Sequence, residues 1–276
     1  MRGKTGRCLA LVAAIALSNA AIAQQGTDAD RPEVRLSSPD QRRGDPDPAA
    51  LEAEAMRLYG AGKYTEAIEA AERLLTIQEK MLGHEHVVVA ATLNGLGLFY
   101  LEQGRYAEAE PVYKRSIAIA ERALGPEHQS VGTTINNLAQ LYHAQARYTE
   151  AEPLYKRSLA IFENILGPEN DSVGMVINNL AQLYQAQARY AEAEPLAKRS
   201  IALFERVWGP EHRRVGMSVN NLALLYQVQS RYDEAEPLFR RSLAIFEKSL
   251  GPEHPDLVQP LNNLALLHGQ PTNGSQ

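Results

Sequence analysis

The sequence predicts an all-α chain in which antiparallel helix hairpins stack one on the next as a solenoid, and three observations lead there. Gly83, Gly125, Gly167, Gly209 and Gly251 stand 42 residues apart (125 minus 83, and so on), and Tyr64, Tyr106, Tyr148, Tyr190 and Tyr232 keep the same interval, as do Ala67, Ala109, Ala151, Ala193 and Ala235. An internal repeat of this length decides the fold before any other signal. Within each unit apolar residues recur at three- and four-residue spacing, the stripe of an amphipathic helix. Each later unit closes on a pair such as Gly167-Pro168, which joins a residue able to adopt positive φ to one that cannot continue a helix.

The elements follow in chain order. Arg2, Lys4 and Arg7, an apolar run from Cys8 to Leu17 and the small residues ending Ala21-Ile22-Ala23 form the three parts of a secretory signal peptide over residues 1–23. The apolar run is shorter than the roughly 20 residues a bilayer span requires, so a retained anchor is the weaker reading. Cys8 follows a charged Arg7, which does not suit an acylation site. Cleavage after Ala23 would leave no Cys and point to the periplasm or the exterior. Residues 24–48 hold few large apolar side chains and many Asp, Arg, Pro and Gly, so they cannot offset the entropy of ordering and read as a flexible linker.

From Ala49 to His268 five hairpins and a final helix are expected, followed by a disordered tail, 269–276. In the third hairpin Ile135, Leu138 and Tyr142 with Ala139 mark the first helix. Tyr148, Ala151, Tyr155, Ser158, Leu159 and Phe162 mark the second, with Pro153 near its first turn, where a missing N–H costs least. Small residues at Ala139 and Ala151 allow close approach. One hairpin cannot cover its own apolar face, so stacking supplies the core. The last helix, from about Asp256, carries Leu264, Leu266 and Leu267, apolar enough for a homodimer through this end to be an open alternative.

The strings Asn136-Asn137-Leu138-Ala139-Gln140-Leu141-Tyr142, Tyr148-Thr149-Glu150-Ala151-Glu152-Pro153-Leu154-Tyr155-Lys156-Arg157-Ser158 and Leu250-Gly251-Pro252-Glu253-His254 resemble the tetratricopeptide repeat (TPR), in its 42-residue kinesin-light-chain type. The resemblance covers about Ala49 to His268. It implies a right-handed superhelical solenoid whose inner groove, lined by the first helix of each hairpin, binds segments of other proteins. It does not imply motor function, because no N-terminal heptad coiled coil is present.

At 100° per residue Asn136, Gln140 and His143 share one face, opposite Ile135, Leu138 and Tyr142. The family places that face in the groove. The expected peptide-binding set is therefore Asn94, Leu98 and Leu101; Asn136, Gln140 and His143; Asn178, Gln182 and Gln185; Asn220, Leu224 and Gln227; and Asn262. An Asn side chain offers one acceptor and one donor to a ligand backbone. Hairpins about 10 Å apart would bring an Asn to roughly every third residue of an extended peptide. Leu98, Leu101 and Leu224 are expected to anchor ligand side chains. The adjacent Asn137 lies off this face and is expected to bridge neighbouring helices.

Several features suggest other roles. Lys114-Arg115, Lys156-Arg157, Lys198-Arg199 and Arg240-Arg241 could form a basic track, but Glu110, Glu152, Glu194 and Glu236 stand four residues earlier, in the orientation of intrahelical pairs. His128, His212 and His254 recur at helix starts with Asn170 in the fourth place, which suits local hydrogen bonding better than a shared metal, and His84/His86 could at most form an adventitious zinc site. Glu52-Ala53 and Gly95 interrupt the Asn pairs. Ala197 replaces a ring, so a cavity is expected beside it, and Trp208 lies roughly 16 Å along the helix, too far to fill it.

Composition adds exclusions. The 276 residues are 45% hydrophobic and 22% charged with a net charge of -5; losing Arg2, Lys4 and Arg7 leaves 25 basic against 33 acidic side chains, a net of -8, which argues against a nucleic-acid or anionic-membrane partner. One Cys excludes a disulfide framework and a Cys-rich zinc site. No Gly-x-Ser-x-Gly, phosphate loop, His-Glu-x-x-His or dinucleotide fingerprint occurs, so no cofactor, metal or catalytic residue is expected. The expectation is an exported, non-enzymatic scaffold for a protein or peptide ligand, with no membrane insertion once the signal is removed.

Overall fold

The computed structural model describes residues 46–251, 254 and 257–268, and among them every regular element is a helix. The eleven helices are α1 (Pro48–Gly60), α2 (Tyr64–Leu82), α3 (Val87–Gln103), α4 (Tyr106–Leu124), α5 (Gln129–Ala144), α6 (Tyr148–Leu166), α7 (Asp171–Ala186), α8 (Tyr190–Trp208), α9 (Arg213–Gln227), α10 (Tyr232–Leu250) and α11 (Val258–His268). The signal segment, all but the last residues of the linker and the tail lie outside the described residues. Helix begins at Pro48, where the Asp47 side chain accepts from the Ala49 N–H at 3.1 Å.

Two kinds of turn set the hairpins. Each second helix ends at a Gly whose φ lies between 81° and 91°, from Gly83 to Gly251, a conformation open essentially to Gly alone. The turn inside each hairpin also needs a left-handed residue. Gly62 and Gly104 supply it in the first two, whereas Ala146, Ala188 and Ser230 adopt φ of 59°, 57° and 59° in the others. The prolines depart from expectation. Pro153 is the sixth residue of α6, because the Ala151 N–H already bonds to the Arg147 carbonyl at 3.1 Å and starts the helix earlier, so the ring removes an interior bond.

The chain forms two compact units that divide between Leu141 and Tyr142. In the N-terminal unit α1 packs on α2, α2 on α3 and α3 on α4. Tyr59 stacks on Phe99 with centroids 4.9 Å apart, and Tyr113 is fully buried against Gly97, where a Cβ would lie 2.6 Å from the ring. Val131, Ile135 and Leu141 of α5 are buried, as is Ala139.

In the C-terminal unit successive helices from α6 to α11 pack in order, and α9 also touches both α7 and α11. Ala151, Tyr155, Ala193 and Phe239 are fully buried. Gly174 admits Phe204, since a Cβ there would meet the ring at 2.7 Å. Buried serines tie second helices to first ones in both units: the hydroxyls of Ser116, Ser200 and Ser242 donate to the carbonyls of Ala90, Gly174 and Gly216 at 2.7, 3.2 and 2.8 Å. The final helix α11 seats Leu257 and Pro260 inward but leaves Val258, Leu261 and Leu266 at 58%, 47% and 60% exposure.

Candidate functional site

The residues expected to line the groove differ widely in exposure. In the N-terminal unit Leu101 and Gln140 are half-buried, while Asn94 and Asn136 are each 7% exposed. Leu98 corrects the expectation: at 2% exposure it belongs to the core and offers a ligand no anchor. In the C-terminal unit His143, Asn178, Gln182, Gln185, Leu224 and Gln227 are half-buried, Asn220 is 6% exposed and Asn262 is exposed. His143 rests edge-on against Tyr148, centroids 5.7 Å apart.

The paired amides divide the work between neighbouring hairpins. Asn137 Nδ2 donates to Asn94 Oδ1 at 2.9 Å, Asn221 Nδ2 to Asn178 Oδ1 at 3.1 Å and Asn263 Nδ2 to Asn220 Oδ1 at 3.1 Å. The second Asn therefore bridges helices, as its angular position predicts. The same bond occupies one lone pair of the first Asn's oxygen and fixes the orientation of its amide. Among the described residues no protein acceptor takes the Nδ2 of Asn94, Asn178 or Asn220, and none of these nitrogens is fully sealed from solvent. What remains is a series of N–H donors, suited to carbonyl oxygens.

The basic series is internally paired. Lys114, Lys156, Lys198 and Arg240 reach the Glu four residues earlier at 2.6 to 2.7 Å. Arg115 and Arg199 reach Glu79 and Glu163 of the preceding hairpin at 2.7 and 2.6 Å, and Arg241 pairs with Glu205. A third cluster recurs at the hairpin turns. Arg189 lies 4.0 Å over the Tyr184 ring, makes two 2.7 Å bonds to Glu192 and a third to Glu152, which also accepts from Tyr184 and Lys156. Arg231 repeats this with Tyr226, Glu234, Glu194 and Lys198. Hydrogen bonds from Arg189 and Lys156 hold the Glu152 carboxyl down at about 2, and those from Arg231 and Lys198 do the same for Glu194.

The turn histidines act as helix caps. Nδ1 of His86, His128 and His212 accepts from the N–H of Val88, Ser130 and Arg214 at 3.1 to 3.2 Å, and Asn170 Oδ1 does so for Ser172 at 2.9 Å. Burial pushes the pKa of His128 and His212 down. His84 instead faces Glu79 at 3.4 Å, and no cluster of three or more metal-ligating side chains occurs among the described residues. Trp208 is held on the surface by a 2.6 Å bond from Nε1 to Asp171 Oδ1 and by stacking on His212.

Two features of the surface went unread in the sequence. Thr133, Met175 and Met217, three residues before Asn136, Asn178 and Asn220, are half-buried and share their face. Their own 42-residue spacing is the signal that could have found them. The second is a cavity in the N-terminal unit beside Ala120, where the ring of a periodic position is absent.

The tetratricopeptide repeat family model matches residues 48–122, 88–164, 130–206 and 214–271. No curated protein matches. Similar solved structures include the nearly identical TPR-like repeats of a kinesin light chain candidate from Podosopora anserina, 29% identical over 75% of this chain and 99% of that one with a TM-score of 0.60. A single-residue variant of those repeats, also 29% identical, is matched over 73% of this chain and 95% of that one, with a TM-score of 0.61. BtubC (BKLC) from P. vanneervenii is 25% identical over 79% and 83%, with a TM-score of 0.59.

Proposed function

The chain belongs to the tetratricopeptide repeat family, whose fold is in general a protein–protein interaction scaffold, and we propose that it is an adaptor holding an extended segment of a partner protein along its first helices, exported on the strength of the signal-peptide pattern in residues 1–23. The observation that supports this reading is the set of amide donors at Asn94, Asn178 and Asn220, each left over after its carbonyl is bonded to the next hairpin. Such donors recognise ligand carbonyls irrespective of side chain. At about 1 kcal/mol for each hydrogen bond, a short series supports micromolar capture rather than tight binding. The paired basic residues take no part, so recognition is not primarily of an acidic ligand.

The test exploits the division of labour within the amide. Asn178→Asp keeps the oxygen that accepts from Asn221 but replaces the free donor by a second acceptor. Capture of peptides from a random 12-residue display library should fall about tenfold or more, with the melting temperature nearly unchanged. Asn221→Ala should instead lower melting, because it orphans the Asn178 oxygen. Wild-type protein that enriches no common motif, or equal capture by Asn178→Asp, overturns the reading. Export is tested separately: mature protein recovered from the periplasm or medium should begin at Gln24. A second reading, self-association through α11, is favoured by the exposed Val258, Leu261 and Leu266. Light scattering before and after truncation at Leu257 decides it.

A further inference from the structure

One position of the second helices runs Gln78, Ala120, Phe162, Phe204, Phe246 at 42-residue spacing. In the C-terminal unit Phe204 is buried against Gly174, where a Cβ would come within 2.7 Å of it, and the Arg214 guanidinium lies 6.0 Å from the ring centroid. Phe246 approaches Gly216 in the same way, at 3.5 Å from a Cβ built there. In the first hairpin Gln78 occupies the place and accepts from the Thr92 hydroxyl at 2.6 Å. Ala120 supplies neither a ring nor an amide. Its facing residue is Ala90 rather than Gly, a partial compensation of one methyl for a missing ring.

What remains is a cavity of about 20 Å³ whose wall includes Ala90, Ala91, Asn94, Ser116, Ala120 and Thr133. Ser116 and Ala120 of α4 form a buried floor, at 1% and 2% exposure. Ala91 of α3 and Thr133 of α5 are half-buried at the mouth, and each stands three residues before the Asn of its helix, Asn94 or Asn136. The cavity thus opens between two first helices, on the face that carries the amides. Three of its hydroxyls are already committed: Ser116 donates to the Ala90 carbonyl at 2.7 Å, Thr133 to the Gln129 carbonyl at 3.1 Å and Thr134 to the Ser130 carbonyl at 3.0 Å. The walls therefore present methyl groups and hydroxyl lone pairs, with the Asn94 donor at the rim.

We infer that this cavity is a side-chain subsite that admits a short side chain, Ala or Ser, of the bound segment while Asn94 Nδ2 donates to a nearby carbonyl of that segment. The inference rests on the peptide-binding reading and adds a specificity to it. Space for about one water beneath the mouth fits one or two heavy atoms and rejects a branched chain, a ring or a long chain. The N-terminal unit then selects by size, where the corresponding position of the next unit is plugged by Phe204.

The experiment uses the mature full-length chain and the random 12-residue display library as probe. Ala90→Gly/Ala120→Phe installs the Gly/Phe pair of the later hairpins and plugs the cavity; Ala91→Leu closes it from the mouth without entering the core. Peptides selected on the wild type should share one position restricted to small residues, and replacing that residue by Leu in the consensus peptide should weaken binding at least tenfold. Both variants should lose that restriction while melting no lower than the wild type. A wild-type motif without a small-residue position, or one whose restriction survives in a folded variant, overturns the subsite and leaves the peptide reading standing. Enrichment of no motif at all on the wild type overturns both.

Discussion

Gly174→Ala tests the packing logic of the repeat. The substitution raises intrinsic helix stability by about 1 kcal/mol, so on propensity alone the protein should melt higher. The structure predicts the reverse. A Cβ at this position would lie 2.7 and 3.0 Å from two carbons of Phe204 and 2.9 Å from a methyl carbon of Leu203, all buried. Relief requires the ring to withdraw by nearly an ångström in a close-packed core, at a cost of about 1–3 kcal/mol. The net is a loss of about 1 kcal/mol, or a few degrees for an array of this length. Differential scanning calorimetry of wild type, Gly174→Ala, Phe204→Ala and the double variant measures it. The double variant recreates the Ala90/Ala120 pair of the N-terminal unit, so its loss should be smaller than the sum of the single losses. A higher melting temperature for Gly174→Ala, or strict additivity, refutes the reasoning.

Three further outcomes follow from the geometry. At the hairpin turns Gly104→Ala should lower stability by about 1 kcal/mol and Ala188→Gly should raise it slightly, because both positions have positive φ; paired chemical denaturation curves give the signs. His128 and His212 cap helices through an unprotonated Nδ1 and have pKa values below the ordinary 6.5, so the folded state binds fewer protons and their contribution, complete above 6.5, is lost as pH falls below it. Replacing both by Asn, the residue that caps at position 170, should remove this dependence from melting curves between pH 7 and 5, taken as roughly the range a lowered His pKa spans. Glu152 and Glu194, held at about 2 against an ordinary 4.5, add stability that is complete above 4.5 and lost as pH falls toward 2; Arg189→Gln with Arg231→Gln should move acid unfolding, followed by far-UV circular dichroism, to higher pH.

The register of the hairpins was legible because Gly and Pro punctuate them at fixed intervals, and a Gly at φ near 85° tolerates no substitute. The bridging role of Asn137 was legible too, since one residue of displacement turns a side chain by 100° on a helix. Less accessible was the consequence for its neighbour. That the Asn94 amide is fixed through its oxygen depends on a contact 43 residues away, which no single-helix angular argument contains. Leu98 was misjudged for a related reason: it lies on the amide face, yet its helix α3 is apolar almost throughout and sinks deeper than the later first helices. The cavity beside Ala120 follows from a second column of the repeat, Gln78, Ala120, Phe162, Phe204 and Phe246, in which one ring gives way to a methyl group.

The pairing pattern bears on how such a surface can recognise anything. Each repeat carries basic and acidic side chains in abundance, yet the Lys and Arg pairs end on carboxylates of their own or the preceding hairpin. Exposed ion pairs of this kind contribute little to stability one at a time, but they leave the first-helix face without a strong field of either sign. The amides, meanwhile, are kept from rotating by the bond through Oδ1, so the remaining N–H donors are oriented before a ligand arrives and lose little entropy on binding. Under the proposed peptide-binding function, a neutral face with fixed donors would discriminate weakly by charge and strongly by backbone geometry. Side-chain discrimination would then come from local relief, which the proposed subsite places at the position vacated at Ala120 beside Asn94.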